Sequence, residues 1–98
     1  SSELITENNT PQSFTLHQNY PNPFNPSTSI KFELSEASDV KLAVYDMLGR
    51  ENEVLINQYL TPGSYTFSFS GSNLSSGIYF YELRAGSYRD IKKMTLVK

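Results

Sequence analysis

The stretch GSYTFSFSGSNLSSGIYFYEL, residues 63–83, carries the strongest secondary-structure signal in the chain. In its first half, Tyr65, Phe67 and Phe69 alternate with Thr and Ser. Because successive side chains of a strand point to opposite faces, this alternation predicts a strand with three rings on its buried face. Residues 78–84 repeat the alternation and are apolar on both faces near their start, which is typical of a central strand.

Weaker alternation predicts further strands on both sides of this stretch. The complete set of predicted strands covers residues 14–17, 28–34, 40–44, 53–59, 65–70, 78–84 and 88–97. No segment sustains the apolar spacing of an amphipathic helix over three turns, so little or no helix is expected. The sequence therefore predicts an all-β fold, an immunoglobulin-like antiparallel β-sandwich of about seven strands, with a small closed barrel as the alternative.

The inward phase of the best-alternating strands predicts the core. The side chains expected there are Phe32, Leu42, Val44, Phe67, Phe69, Tyr79, Tyr81 and Leu83. Met94 and Leu96 of the last strand are also expected to point inward, with a bulge near Lys92 and Lys93, which interrupt the alternation. The continuous apolar run at residues 54–56 does not reveal which side chains of the fourth predicted strand are buried.

A short sequence motif occurs twice, each time at the start of a predicted strand. Residues 60–65 and 74–79 share the pattern Leu-x-x-Gly-x-Tyr, fourteen positions apart. In sandwich domains a Tyr at such a place often returns its hydroxyl to the backbone of the preceding loop, and Tyr79 is the favoured candidate for this tyrosine corner. The turn positions Gly49, Gly63, Gly77 and Gly86 are expected to include several with positive φ.

The N-terminal part of the chain is polar and turn-prone. Residues 1–13 are interpreted as the tail of an interdomain linker, and residues 14–98 as the domain proper. Since the sequence starts at Ser1 without Met, we expect it to be a piece of a larger polypeptide. Three prolines in residues 19–26 favour a segment that packs across the end of the sandwich, with Tyr20 and Phe24 partly buried; the alternative is a proline-rich ligand for an aromatic groove.

Composition excludes several kinds of site. The chain has no Cys and one His, His17, which removes thiolate and multi-histidine metal sites and cysteine nucleophiles. No pair of acidic residues is arranged for acid–base chemistry, so no catalytic, cofactor-binding or metal-binding residue is predicted. A net charge of −2 argues against nucleic acid as a partner, and no apolar run is long enough for a transmembrane helix.

Charge is distributed unevenly along the chain. The last fifteen residues hold five basic side chains and one acidic side chain, whereas the preceding 83 hold three basic and nine acidic ones. Lysines on an edge strand can protect it from pairing with other chains. The same strip can dock an acidic partner, and composition leaves both readings open.

Four segments, taken together, resemble a known family. They are QNYPNPFNPST at residues 18–28, VYDMLGR at 44–50, LSSGIYFY at 74–81 and KKMTLVK at 92–98. In this order and spacing they resemble the type A C-terminal sorting domain of the type IX (Por) secretion system of Bacteroidetes and related bacteria. The positions that carry the motif are Tyr20, Pro21, Asn22, Pro23, Phe24, Asp46, Gly49, Gly77 and Tyr79.

The resemblance implies a non-catalytic immunoglobulin-like domain at the C-terminus of a larger secreted protein. It implies that an outer-membrane translocon reads the domain as an address, and that a sortase then commonly removes it and anchors the cargo to a surface lipopolysaccharide, or the cargo is released. The protein would pass through the periplasm to the medium or the outer-membrane surface. The expected recognition residues are the basic end of the chain, namely Lys92, Lys93, Met94, Leu96, Val97 and Lys98.

Two departures from the family pattern and two alternatives stand beside this reading. Asn52 and Glu53 replace apolar or small residues, and Ser70-Gly71 replaces a common Asp-Ala, which puts the register of the fourth predicted strand in doubt. One alternative is a carbohydrate-binding or adhesive accessory module of a secreted enzyme, with Tyr20, Tyr59 and Tyr88 as stacking rings. The other is the immunoglobulin-like domain of flagellar hook-capping proteins, which usually contains a Trp that this chain lacks.

Overall fold

The computed structural model describes residues 3–7 and 10–98, and its regular elements are all strands. They are β1 (Glu3–Glu7), β2 (Thr15–Leu16), β3 (Ser27–Leu34), β4 (Ser38–Tyr45), β5 (Glu51–Leu60), β6 (Gly63–Ser70), β7 (Gly77–Ala85) and β8 (Tyr88–Leu96). Two antiparallel four-stranded sheets face each other. The first has the strand order β1-β6-β3-β2 and the second has the order β5-β4-β7-β8. This arrangement confirms the predicted antiparallel sandwich.

The first strand was not expected. The strand β1 pairs with β6 over its whole length, from Glu3 opposite Ser68 to Glu7 opposite Ser64, and Leu4 packs against the core. The segment lies within residues 1–13, whose polar composition suggested a linker. The described part of this segment leaves out residues 1, 2, 8 and 9. The division of the chain into a linker and a domain at residue 14 stays a prediction.

The core is the one that alternation predicts. All eight side chains expected to be buried are buried, and so are Met94 and Leu96. They form one cluster to which both sheets contribute. The rings of Phe32 and Tyr65, which lie opposite each other on β3 and β6, stack with centroids 5.3 Å apart.

The irregular strand is β5, and the expected bulge in β8 is absent. The β4–β5 register shifts twice, between Leu42 and Ala43 and between Val44 and Tyr45, so that Asn52 and Leu55 have no direct partner. Each bulge shifts the strand by one residue, so the side chains beyond it switch between the inner and outer faces of the sheet. This explains why the apolar run at residues 54–56 does not alternate. The prediction of a bulge near Lys92 and Lys93 is wrong, because β7 and β8 pair in continuous register along their full length.

Both copies of the sequence repeat form tyrosine corners. The hydroxyl of Tyr79 donates to the Ser75 carbonyl at 2.7 Å, which confirms the favoured candidate. The hydroxyl of Tyr65 donates to the Thr61 carbonyl at 2.5 Å in the same way. The four expected turn glycines all have positive φ, at 81° for Gly49, 157° for Gly63, 154° for Gly77 and 60° for Gly86.

Candidate recognition site at one end of the sandwich

The four segments that carry the family resemblance meet at one end of the sandwich. Strand pairing places them there, since Tyr45 lies opposite Phe80, Gly77 opposite Leu96, and Ser27 opposite Ser70. We call this region the motif end and define it as residues 20–26, 46–50, 71–77 and 92–98. Its most distinctive feature is the way in which the proline-rich segment holds the last strand.

The proline-rich segment forms a backbone clamp on the end of β8. The N–H of Phe24 donates to the Thr95 carbonyl at 2.9 Å, and the N–H of Val97 donates to the Phe24 carbonyl at 2.9 Å, which gives a parallel bridge between Phe24 and Leu96. The side-chain Oδ1 of Asn22 accepts the N–H of Thr95 at 3.0 Å. We refer to these three hydrogen bonds as the C-terminal clamp. They satisfy backbone groups of Thr95 and Val97 at the end of an edge strand, where these groups would otherwise be open to pairing with another chain.

Phe24 anchors the clamp in the core. Its side chain is fully buried, and its ring meets that of Phe69 edge to face with centroids 6.2 Å apart. Tyr20 behaves differently, since it is 81% exposed, and the expectation that it would be partly buried is wrong. Its backbone pairs with Ser29 at the edge of the first sheet, which leaves the ring on the solvent side.

A buried polar network shapes the proline-rich segment, and no pattern in the sequence predicts it. Asn19 is almost fully buried, and its Nδ2 donates to the Pro21 carbonyl at 3.1 Å and to Thr28 Oγ1 at 3.0 Å. The Thr28 hydroxyl donates to the same Pro21 carbonyl at 2.8 Å. Gln18 Nε2 donates to the carbonyl of Lys93 at 2.6 Å, so residues 18–28 contact the last strand at a second place.

Gly71 gives the clamp the space it needs. A Cβ at this position would lie 3.0 Å from Leu96 Cδ2 and 3.2 Å from Phe24 Cε2. We therefore expect Gly71→Ala to lower the free energy of unfolding by about 1 to 3 kcal/mol, the usual cost of overpacking. Chemical denaturation measures this, with Ser72→Ala at the exposed neighbouring position as the matched control. An equal, negligible change in both variants would contradict the close packing of Gly71 against Leu96 and Phe24.

Asp46 and Gly49 build the turn between β4 and β5. Oδ1 of Asp46 accepts the N–H of Leu48 at 2.9 Å and of Arg50 at 3.0 Å, and Arg50 Nε donates to Oδ2 at 2.8 Å. The hydrogen bond from the Arg50 N–H above all holds the pKa of Asp46 below its usual value. These bonds leave Met47 and Leu48 as two large apolar side chains in an exposed turn.

The predicted recognition residues differ in accessibility. Met94 and Leu96 are core residues, whereas Val97 and Lys98 are exposed. The backbone N–H of Lys98 donates to Ser76 Oγ at 3.1 Å, and its Nζ donates to the Ser72 carbonyl at 2.8 Å. A partner that meets the folded domain can therefore contact the last two residues directly, but not Met94 or Leu96.

Lys92 and Lys93 point to opposite faces of the second sheet. They are consecutive in a regular strand, so neither face of the sheet presents both side chains. Lys92 is on the same face of β8 as the buried Met94, and its Nζ lies 4.0 Å from Asp90 Oδ2. Lys93 is exposed on the outer face, opposite Phe80.

The three tyrosines proposed as sugar-stacking rings do not share a surface. Tyr59 lies on β5 and Tyr88 on β8, which are the two opposite edge strands of the second sheet. The ring of Tyr88 is stacked on Phe14, with centroids 5.5 Å apart. Tyr20 belongs to the segment along the first sheet's edge. This placement offers no single aromatic platform made from all three rings.

Neither a metal site nor a membrane-spanning helix is found in the described part of the chain. Within residues 3–7 and 10–98, no group of three or more His, Cys, Asp and Glu side chains could hold a metal ion. The same residues contain no helix that is long and apolar enough to cross a membrane.

Comparison with known proteins identifies a family. A family model described as "Secretion system C-terminal sorting domain" matches residues 18–98. This range starts at the proline-rich segment, ends at the last residue and includes every part of the motif end. No curated protein and no solved structure matches the chain.

Proposed function

The chain belongs to the family of type IX secretion C-terminal sorting domains, and from this premise we propose that the motif end is the surface that the secretion machinery reads. Membership implies a cargo fused on the N-terminal side and export to the cell surface or the medium. The family is a sorting-signal family and not a catalytic one. The domain then acts as a folded address for a larger protein.

The observation that carries the proposal is the C-terminal clamp. Hydrogen bonds from Asn22 and Phe24 to Thr95 and Val97 hold the end of the chain in one position. The clamp holds Val97, and the N–H of Lys98 donates to Ser76 Oγ. Lys93 is held by its pairing with β7, so these three exposed residues are presented at fixed places. A partner that binds this surface gains specificity because these groups are ordered before it arrives.

Within this proposal the recognition residues have two roles. Lys93, Val97 and Lys98, together with the half-buried Lys92, contact the translocon. Met94 and Leu96 are positioning residues, since their burial in the core fixes the last strand under the clamp. After export, a sortase separates the cargo from the domain, and the cargo is joined to a surface lipopolysaccharide or released.

We expect Lys93→Glu to reduce export at least about fivefold, because like charges placed against each other in an interface strongly oppose binding. Residues 1–98 are fused behind a signal peptide and a fluorescent protein in a host with the type IX machinery. Fluorescence is then measured in the periplasm, on the cell surface and in the medium. Lys31→Glu, an exposed charge reversal on β3 of the other sheet, is the matched control and should leave export unchanged.

Point variants test the proposal better than a deletion of residues 94–98. Such a deletion also removes Met94 and Leu96 from the core, so loss of export would not separate misfolding from lost recognition. Equal export of Lys93→Glu, of Lys98→Glu and of the parent fusion would contradict recognition at the motif end. Failure of the parent fusion to be exported would contradict the sorting function itself.

A further inference from the structure

The outer face of the second sheet changes character along its strands. Cross-strand pairing creates three successive rows, formed by Tyr45 and Phe80, then Glu82 and Ile91, then Arg84 and Arg89. Rows on one face of a sheet lie two residues apart, which is about 7 Å. The face therefore runs from aromatic through mixed to basic over about 14 Å.

A groove follows this change. It has a volume of about 480 Å³, and Asp46, Met47 and Gly49 of the turn after β4 line it together with the sheet residues. Met47 from that turn is 67% exposed and lines the groove together with Phe80 and Ile91. The volume lies within the range of pockets that hold small ligands or peptide side chains. An apolar side chain placed in the groove would be shielded from water on several sides.

At the other end of the groove, one carboxylate is shared by two guanidinium groups. Glu82 is almost fully buried; its Oε2 accepts a hydrogen bond from Arg89 Nε, and its Oε1 lies 3.3 Å from Arg84 Nε. The hydroxyl of Tyr45 donates to Oε1 at 3.2 Å. Burial alone would raise the pKa of Glu82, but the hydrogen bonds from Arg89 and Tyr45 and the charges of the two arginines together lower the pKa below its usual value.

This cluster leaves positive charge facing the solvent. The side chains of Arg84 and Arg89 are 60% and 59% exposed, and each approaches Glu82 through Nε. Among the described residues neither guanidinium contacts a second acceptor, so the terminal amino groups of both remain available. The other acid that lines the groove, Asp46, is already held by Arg50. Guanidinium groups with free amino groups suit the bidentate binding of a carboxylate.

We propose that this groove binds an acidic extended peptide segment of a protein partner. An apolar side chain of the peptide lies on Phe80 and Ile91 beneath Met47. A carboxylate two or four residues further along the peptide lies on Arg84 and Arg89. An extended chain repeats its side chains every 7 Å on one face, which equals the spacing of the rows. The groove shares the turn at residues 46–50 with the motif end, and Lys93 lies opposite Phe80 at its edge. It makes no use of the C-terminal clamp, and peptide binding here does not depend on the export function.

Binding is tested by titrating ¹⁵N-labelled residues 1–98 with the peptide Leu-Ser-Leu-Ser-Asp-Ser-Asp in 0.15 M salt. We expect shifts in the amide signals of Phe80 and Ile91 and in the Nε–H signals of both arginines. The same peptide with Asn in place of Asp should bind about tenfold more weakly, since it loses charge-assisted hydrogen bonds. No saturable shift at millimolar peptide, or equal affinity for the two peptides, would overturn the proposal.

Two variants and two controls locate the site. Arg89→Gln should weaken binding about tenfold, and Lys31→Gln, the same change of charge on the other sheet, should not. Because Arg89→Gln also removes a partner of Glu82, Met47→Ser provides an independent test that leaves the sheet unaltered. It should weaken binding severalfold, whereas Leu48→Ser in the same turn should not, since Leu48 does not line the groove. Unchanged affinity in both Arg89→Gln and Met47→Ser would contradict the site.

Two other occupants are distinguishable in the same titrations. An acidic oligosaccharide such as oligogalacturonate carries carboxylates without apolar side chains. If it bound more tightly than the peptide, the assignment to a peptide would be wrong. A second copy of the chain would appear as shifts of the same signals on raising the protein concentration without peptide. That result would also overturn the proposal.

Discussion

Phe24→Ala should lower the free energy of unfolding by about 3 to 5 kcal/mol, the usual cost of removing a buried ring. The ring is fully buried between the sheets, and its contact with Phe69 would be replaced by a cavity. The backbone of Phe24 also makes two of the three hydrogen bonds of the C-terminal clamp. We therefore expect the end of β8 to loosen in addition to the global loss of stability.

Chemical denaturation measures the first effect, and native-state hydrogen exchange measures the second. The amide of Thr95 donates to Asn22 Oδ1 and that of Val97 to the Phe24 carbonyl, so their exchange should accelerate more than that of Leu83 in the centre of β7. Phe14→Ala, which removes a half-buried ring stacked on Tyr88, is the control and should cost less. An equal loss in the two variants, with unchanged exchange at Val97, would contradict the anchoring role of Phe24.

Phe67→Ala should also cost about 3 to 5 kcal/mol. Phe67 lies on β6, a central strand of the first sheet, between Leu4 on β1 and Ile30 on β3. Thermal or chemical unfolding measures this effect, with Thr66→Ala as the control, since Thr66 points to the opposite face of the same strand. The Thr66→Ala variant should lose less than about 1 kcal/mol of unfolding free energy. A small effect of Phe67→Ala would mean that the inward phase of β6 is misassigned.

The motif positions gain a physical explanation from the structure. Asn22 and Phe24 hold the end of the last strand, Asp46 and Gly49 form the turn after β4, and Tyr79 closes the corner before β7. These contacts are all internal. Tyr20 is the exception, because its ring is exposed. The internal contacts build the motif end, and the proposed recognition falls on the exposed groups beside them.

The uneven distribution of charge along the chain predicted a basic region but not which basic side chains lie together. The excess of basic residues near the C-terminus suggested either a protected edge or a docking strip for an acidic partner. The sequence directed attention to Lys92 and Lys93, which are adjacent in the chain but lie on opposite faces. The groove instead joins Arg84 and Arg89, which are five positions apart in the sequence and lie opposite each other across the β7–β8 hairpin.

The sequence by itself determined strands β2 to β8, the inward-facing residues of the strands that alternate clearly, and the family. Alternation at residues 65–69 and 79–83 is a local property, because the period of two is imposed on any strand with one buried face. Positive φ at the turn glycines and the hydroxyl contact of Tyr79 are likewise local. Each depends on residues within a few positions of one another in the chain.

Tertiary structure alone decided the features that depend on which distant segments meet. The strand β1 forms because it pairs with β6, and the bulges of β5 follow from its register against β4. The clamp depends on the contact of Phe24 with Thr95 and Val97. The shared carboxylate of Glu82 and the groove beside it arise in the same way. Cross-strand register brings these groups together, and register is fixed by the packing of both sheets around one core, which no short stretch of sequence contains.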